Sequence, residues 1–422
     1  MEYAKIGLLL AKVETTFGTD AAPTSAANNI PIARGLVPVE PDGTPITREL
    51  LDGGFARVAG PNTLLTMTFK VRFELRGNRT NGTAADISAG LIANVLDFDP
   101  LLRACDLPAT YVAESGAGVR DGMVIYQPVV PTSEGTSLTI WAYTPQKLYK
   151  AVGCKGTIDN IAFTAGGICF VDATFMGAFS SISDASPLPT DAVWPALVPP
   201  LWAVRPAWSA QAVTLDGTGN TVTLTAHGLF NGDRFKLGGT LPAELALNTW
   251  YYVKARTANT LQIAATLNGA AIDFTGAGSG VTLTSAGGIL WDGWSTPVIQ
   301  AVNIKLGQVL TTREDGNTLS GLKGHIITDR VSTGDLKLES SPEATHPIWA
   351  DYQSGRVKYL RLNLGSPAAA GTGNRVAIEA LTRLTKVTYE DMSGKRMQNC
   401  QFDLVQSAPG IADGSEFKLI VQ

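Results

Sequence analysis

The stretch Met67-Thr68-Phe69-Lys70-Val71-Arg72-Phe73-Glu74-Leu75-Arg76 places an apolar residue at every odd position and a polar one at every even position. In an extended chain successive side chains point to opposite faces, so this alternation specifies a strand with one face on a core and one in water. At ~3.3 Å per residue the strand is about 33 Å long, well beyond the usual five or six residues. Such length suits a barrel or tube better than a small sandwich.

The pattern recurs later in the chain. Laid over each other without a gap, residues 47–75 and 312–340 put Thr47-Arg48-Glu49 on Thr312-Arg313-Glu314, and Val71-Arg72-Phe73-Glu74 on Leu336-Lys337-Leu338-Glu339. An internal repeat implies two related β-units, which can fill two quasi-equivalent positions in a symmetric assembly. The candidate wall-strand residues are therefore Phe69, Val71, Arg72, Phe73 and Glu74, with Leu336, Lys337, Leu338 and Glu339. The two Thr-Arg-Glu triplets are candidate assembly contacts.

Around these landmarks the chain reads as all-β with one or two short helices. An opening strand at Ile6–Val13 leads into an extended arm over Glu14–Asn29, rich in Thr, Ala and Pro. A short helix is predicted at Asp99–Cys105, where Asp suits the N-terminus and Pro the first helical position; Asp97 and Asp99 are assigned to capping rather than to a carboxylate pair. His346–Tyr352 opens with Pro in the same way. Strand pairs follow in each half: Ser137–Lys150 and a hairpin over Gly156–Met176 in the first, Lys358–Leu364 and a hairpin over Arg375–Val405 in the second. In the last, the apolar phase runs through Val376, Ile378 and Ala380 and then moves to Leu381, Val387 and Tyr389, a slip that a β-bulge produces.

Between the halves the composition changes. Proline-rich segments carrying Trp194, Trp202 and Trp208 on one side, and Trp291, Trp294 and Pro297 on the other, read as stiff linkers. The residues they enclose have strand signals at Thr221–Thr225, Arg234–Leu237, Trp250–Ala255, Thr260–Ala264 and Val281–Thr284. The division is a first unit over 1–206, an inserted β-module over 207–288 and a second unit over 289–422.

Chemistry is sparse. With 45% hydrophobic and 17% charged residues the chain is ordered, and at a net charge of −4 without basic clusters it lacks the footprint of a nucleic-acid-gripping protein. Cys105, Cys154, Cys169 and Cys400 have no C-x-x-C spacing and read as buried thiols. His227, His325 and His346 adjoin no nucleophile motif, and His227 is assigned to a turn. No catalytic residue, metal site or cofactor is expected. The short apolar run near the N-terminus does not resemble a signal peptide, so assembly in a cytoplasm is expected, and no run approaches the ~20 apolar residues of a membrane span.

Lys12-Val13-Glu14-Thr15-Thr16-Phe17-Gly18-Thr19-Asp20, Pro100-Leu101-Leu102-Arg103-Ala104-Cys105, Ala165-Gly166-Gly167-Ile168 and Ile327-Thr328-Asp329-Arg330 occur in this order. Together they resemble the tail tube (major tail) proteins of long-tailed, non-contractile bacteriophages, over most of residues 1–206 and 289–422. Val222–Leu229, Trp250–Val253 and Leu261–Ile263 are similar to a small β-module of phage tail and fibre proteins, which implies a decoration on the outside of a tube. The resemblance implies a structural virion protein whose rings stack into a conduit for DNA ejection. It also implies contacts with other copies of itself, a tape-measure protein, a tail terminator and a distal tail protein, with genomic DNA passing unbound and no membrane partner. Two units per chain suggest a trimeric, pseudo-hexameric ring, with a hexamer of whole chains as the other choice. Segments 38–62 and 306–330, which carry the triplets, are expected to be arms reaching the next ring. The conduit of this family is electronegative, whereas Lys70, Arg72, Glu74 and Arg76 are net basic; either that face lies away from the lumen or ion pairs neutralise it. A distal-tail or baseplate protein is the nearest alternative, a β-rich surface adhesin a more distant one.

Overall fold

The alternating segment forms the strand Asn62–Glu74, with Met67, Phe69, Val71 and Phe73 buried and Lys70 in water. The computed structural model describes residues 7–33, 39–48, 59–77, 96–112, 122–129, 134–184, 188–192, 194, 210–285, 289–291, 298–318, 321–365, 374–407 and 414–422. Within them the chain is all-β with three short helices, Ser25–Asn28, Asp99–Ala104 and Ile348–Ser354.

Two six-strand paths carry the architecture. In the first half neighbouring strands are, in spatial order, Leu8–Val13, Leu138–Tyr143, Lys147–Thr164, Phe170–Asp184, Asn62–Glu74 and Val39–Pro45. In the second they are Ile289–Trp291, Val357–Leu364, Val376–Met392, Lys395–Leu404, Thr333–Glu339 and Ile299–Lys305. Every pairing is antiparallel, and both halves visit the six positions in one chain order: first, sixth, fifth, a short helix, then second, third and fourth. The repeat seen in the sequence is thus a repeat of topology.

The halves share one sheet. Ile161, Ala162, Phe163 and Thr164 pair with Ile304, Asn303, Val302 and Ala301. The C-terminal strand Phe417–Val421 lies beside Val376–Ala380 and carries the first-half hairpin of Ala109–Val112 and Met123–Tyr126 on its other edge. One apolar cluster runs through both halves, from Phe69, Phe73 and Phe175 through Ile161 and Val302 to Leu336, Leu338 and Phe402. Each half bends at its longest strand. Lys147–Thr164 slips register at Lys150/Ala151, Val152/Lys155 and Ile158/Asn160, and Val376–Met392 slips at Leu384/Lys386, where the apolar phase changes in the sequence. Bulges raise local twist and let one strand serve two layers.

Two local features depart from the sequence reading. The helix at Asp99–Ala104 has Phe98 as its N-cap and no side-chain cap, so Asp99 is not a cap. Its carboxylate is buried, accepts a hydrogen bond from Tyr126 Oη at 2.7 Å, and lies 3.6 Å from Arg103; burial raises its pKa against both partners. Asp97 instead pairs with buried Arg76. The arm after Val13 is pinned at its start, because buried Glu14 accepts from Ser137 Oγ, Thr139 Oγ1 and the Gly153 and Gly18 N–H groups.

The inserted segment builds a seven-stranded sheet with its own core, centred on Phe235, Leu237, Leu261, Ile263, Phe274 and Leu283. His227 holds a turn, accepting from Leu229 N–H through Nδ1, which leaves the Nε2–H facing Thr260 O. The module also docks on the second half. Arg361, 1% exposed, binds Glu379 and lies 3.6 Å from Asp233 of the module, while Tyr252 of the module donates to Glu379 at 3.1 Å. Beside these, Met123, Ile125, Ala377 and Ile420 form an apolar contact with Leu267. Breaking a buried ion pair from one side leaves an uncompensated charge, at a cost of about 3–5 kcal/mol. Arg361→Met is therefore expected to lower the urea midpoint strongly, and the double variant Arg361→Met/Glu379→Leu to recover most of the loss. Equal destabilisation in single and double variants would show that the uncompensated charge of Glu379 is not what weakens the single variant.

Candidate assembly surfaces

The polar face of the shared sheet is where the repeated charged residues meet. Arg72 donates to both oxygens of Asp172, from Nε at 2.6 Å and Nη2 at 2.9 Å. This bidentate bond raises the Arg72 pKa, against partial desolvation. In the second half Lys337 binds Glu390 at 2.6 Å, and Lys395 lies 3.7 Å from Glu339. Asn303 Nδ2 donates to Asp335 at 3.0 Å and lies near Asn160 across the junction of the halves. Lys70 lies 3.9 Å from Glu40, and Arg383 lies 3.3 Å from Asp403. Acidic partners thus answer the bases that made this face look basic in sequence. Phe69, Val71, Phe73, Leu336 and Leu338 point the other way, into the common core.

The two triplets lie in separate elements. Thr312, Arg313 and Glu314 end the strand Gln308–Glu314, which pairs with Leu322–Arg330 as a two-stranded hairpin. Thr312 and Glu314 are exposed, while Arg313 binds Glu134 at 2.6 Å and Lys323 joins them at 3.2 Å. The Arg313 hydrogen bond lowers the Glu134 pKa. In the first half Thr47 and Arg48 are exposed just beyond Ile46, whose N–H donates to Pro61 O; Glu49 lies outside the described residues.

The hairpin of the second half is anchored on the first. Gln308 accepts from Ile158 N–H at 2.9 Å and donates to Cys105 O at 2.9 Å. Gly324, at φ +148, abuts Phe17 of the arm so closely that a Cβ would lie 2.6 Å from the ring. Its neighbour His325 is fully buried, with neither ring nitrogen hydrogen-bonded.

Sequence reasoning missed two surfaces. One is a pair of open strand edges: among the described residues Val39–Pro45 pairs only with Asn62–Glu74, and Lys386–Met392 pairs only with Lys395–Gln401. The other is an exposed aromatic group. Trp349 stands edge-on to Tyr352 with centroids 6.1 Å apart, and its Nε1 donates to Tyr389 Oη at 3.0 Å. The i, i+3 spacing of Trp349 and Tyr352 on a helix opened by Pro347 was the available signal.

No protein-family model and no curated protein matches the chain. Among solved structures, the "Binding domain of Botulinum Neurotoxin DC in complex with SialylT" aligns over 99% of this chain and 98% of its own, at 8% identity and a TM-score of 0.11, a likeness too slight to carry an argument. Among the described residues no helix is long and apolar enough to cross a membrane, and no group of His, Cys, Asp and Glu is arranged to hold a metal.

The burial of His325 is expected to make the fold sensitive to acid. Burial lowers its pKa below the ordinary 6.5, so the folded state takes up a proton less readily than the unfolded chain. Its contribution is fully present above pH 6.5 and is lost as the pH falls below that value. His227, lowered by the same cause, adds to the slope. Urea midpoints measured between pH 7.5 and 5 are expected to fall in the native protein and to fall less in His325→Leu. An unchanged slope in His325→Leu would remove His325 from the account.

Proposed function

We propose that the chain is a structural protein that joins copies of itself head to tail into rings, and that the rings stack into a phage tail tube through which DNA is ejected. The observation that carries this reading is the junction between the halves. The tip of the first half's longest strand, Ile161–Thr164, accepts the sixth strand of the second half, Ile299–Lys305. Among the described residues the equivalents of those two edges have no strand beside them: the tip Lys386–Met392 of the second half, and the sixth strand Val39–Pro45 of the first. Each copy therefore offers the pair of edges that it already joins within itself.

A contact between different surfaces of identical chains closes into a ring when its rotation divides the circle. If the intermolecular junction repeats the internal one, three chains supply six equivalent units and close a trimeric ring with pseudo-sixfold symmetry. Closure also removes the open edges, which otherwise invite uncontrolled pairing. The ion-paired polar face suits a lumen that duplex DNA traverses without adhering, since adhesion needs unneutralised Lys and Arg. On this reading the exposed triplets and the hairpin of 308–330 face the next ring, and the tape-measure, terminator and distal tail proteins are the other partners. Residence in the virion follows from the same reading.

The open tip can be blocked without touching the core. Met392 and Lys395 flank the two-residue turn Ser393–Gly394, whose φ values are 54° and 81°. That type I′ geometry makes the flanking pair mutually hydrogen-bonded, so the alternate residues Asp391 and Tyr389 direct their N–H groups outward. Proline is tolerated at an edge position that bonds nothing in its own sheet. Asp391→Pro is expected to keep the native thermal transition within a few degrees while abolishing rings and tubes, as seen by analytical ultracentrifugation and negative-stain microscopy. Tubes formed at native yield by Asp391→Pro would exclude this edge as the joint.

A further inference from the structure

The short helix that follows the sixth and fifth strands of each half has different surroundings in the two halves. Set on their prolines, Pro100 and Pro347, the helices put Leu101 on Ile348 and Ala104 on Asp351, and all four residues are buried. Both helices therefore turn the same face to the core. The neighbouring face differs: Leu102 and Cys105 are each 1% exposed, whereas Trp349 and Tyr352, at the same places, are 37% and 39% exposed. Part of the cover on the first helix comes from the second half. Gln308, just beyond the strand Ile299–Lys305, donates to Cys105 O at 2.9 Å, and Leu306 beside it is fully buried with its N–H on Ile158 O. Register gives the counterpart of this segment in the first half, since Val39 pairs with Phe69 as Ile304 pairs with Gly334, and these positions match in the sequence repeat. Pro41 thus stands at the place of Leu306, and it is exposed. Leu102, Cys105 and Leu306, buried where the halves join, have as counterparts Trp349, Tyr352 and Pro41, exposed beside the two unpaired edges.

Resting on the head-to-tail reading, we propose that Trp349, Tyr352 and Tyr389 form the seat for the segment that begins at Pro41 in a second copy of this chain. The group is held in place before any partner arrives. Glu343 accepts from Trp349 N–H at 2.9 Å and from Ala350 N–H at 3.2 Å, Trp349 Nε1 donates to Tyr389 Oη, and the Arg396 guanidinium lies 3.8 Å from the Tyr389 ring centroid. Tyr389 belongs to the tip Lys386–Met392, so a strand added there brings its continuation to the helix, as the pairing of Ile161–Thr164 with Ala301–Ile304 brings Leu306 and Gln308 to the first helix. Proline suits that place, because it has no N–H to leave unsatisfied when the segment is covered. The larger side chains also follow from the difference between the two joints. A joint between separate chains must offset a loss of translational and rotational freedom that the covalent tether spares the internal one. Trp and Tyr in place of Leu and Cys enlarge the apolar area that it can bury, and such residues dominate protein contacts.

The contact joins unlike faces, so it can be blocked from either side. Tyr352→Lys and Pro41→Lys, each at an exposed position of the full-length protein, are expected to keep Tm within a few degrees of native. Each is expected to weaken self-association about tenfold or more in sedimentation velocity measurements. Mixed in equal amounts they are expected to form a dimer and nothing larger, because the Tyr352→Lys chain still offers a native Pro41 segment and the Pro41→Lys chain a native aromatic group. Trp349→Ala takes the place of Tyr352→Lys should that variant fold poorly. Native protein that stays monomeric would remove the head-to-tail reading and this seat with it. Native protein that assembles, together with Tyr352→Lys and Trp349→Ala that assemble equally well, would overturn the seat and leave head-to-tail joining in place. Loss of assembly in both single variants with no dimer in their mixture would overturn the pairing of these two surfaces.

Discussion

Four residue pairs between Ile161–Thr164 and Ala301–Ile304 hold the two halves in one sheet, and the rest of the architecture depends on that backbone junction. A strand edge displays unpaired N–H and C=O groups that must find partners or water. Here the tip of one repeat supplies them to the last strand of the other, so the aromatic core under Phe163 and Val302 is continuous. The net gain from each backbone hydrogen bond is only about 0.5–1.5 kcal/mol. The junction therefore stands through the apolar burial beneath it, and a similar junction between separate chains would be individually weak. Closed rings accommodate weak joints well, because each chain is then held at two places at once.

The same economy explains the polar face. Opposite charges across neighbouring strands stabilise pairing modestly and fix register, as in Arg72 with Asp172 and Arg383 with Asp403. They also cancel the positive charge that the alternating strand carries when it is read alone. The anchored hairpin of 308–330 and the pinned start of the N-terminal arm meet at Gly324 and Phe17, so segments far apart in sequence support one another on the first half. The module adds a further tie, from Asp233 and Tyr252 to the second-half residues Arg361 and Glu379.

Local signals in the sequence were sufficient for most elements. Strict alternation located Asn62–Glu74, paired prolines located two of the helices, and the phase slip after Ala380 located the bulge at Leu384/Lys386. Five strands of the module were visible from apolar alternation and Gly-rich turns. The gap left between Lys150 and Gly156 is in fact the interior of one 18-residue strand, because Gly153 at φ +62 and successive bulges break the alternation there. Periodicity says which face of a strand is buried but not which strand lies beside it. The junction of the halves, the transfer of Met123–Tyr126 to the second half's sheet, and the docking of Arg361 are long-range pairings and left no local pattern. Open edges are invisible for the same reason, since an edge is defined by the neighbour it lacks.

The central claim is that the junction inside the chain is repeated between chains. A cryo-electron microscopy reconstruction of the assembled protein tests it directly. The account predicts three chains around an axial hole, six equivalent β-units in one continuous inner sheet, and Tyr389–Met392 of each chain paired with the strand that begins at Val39 in the next. A ring of six whole chains with only one half of each at the lumen, or an assembly that leaves both edges unpaired, would contradict it.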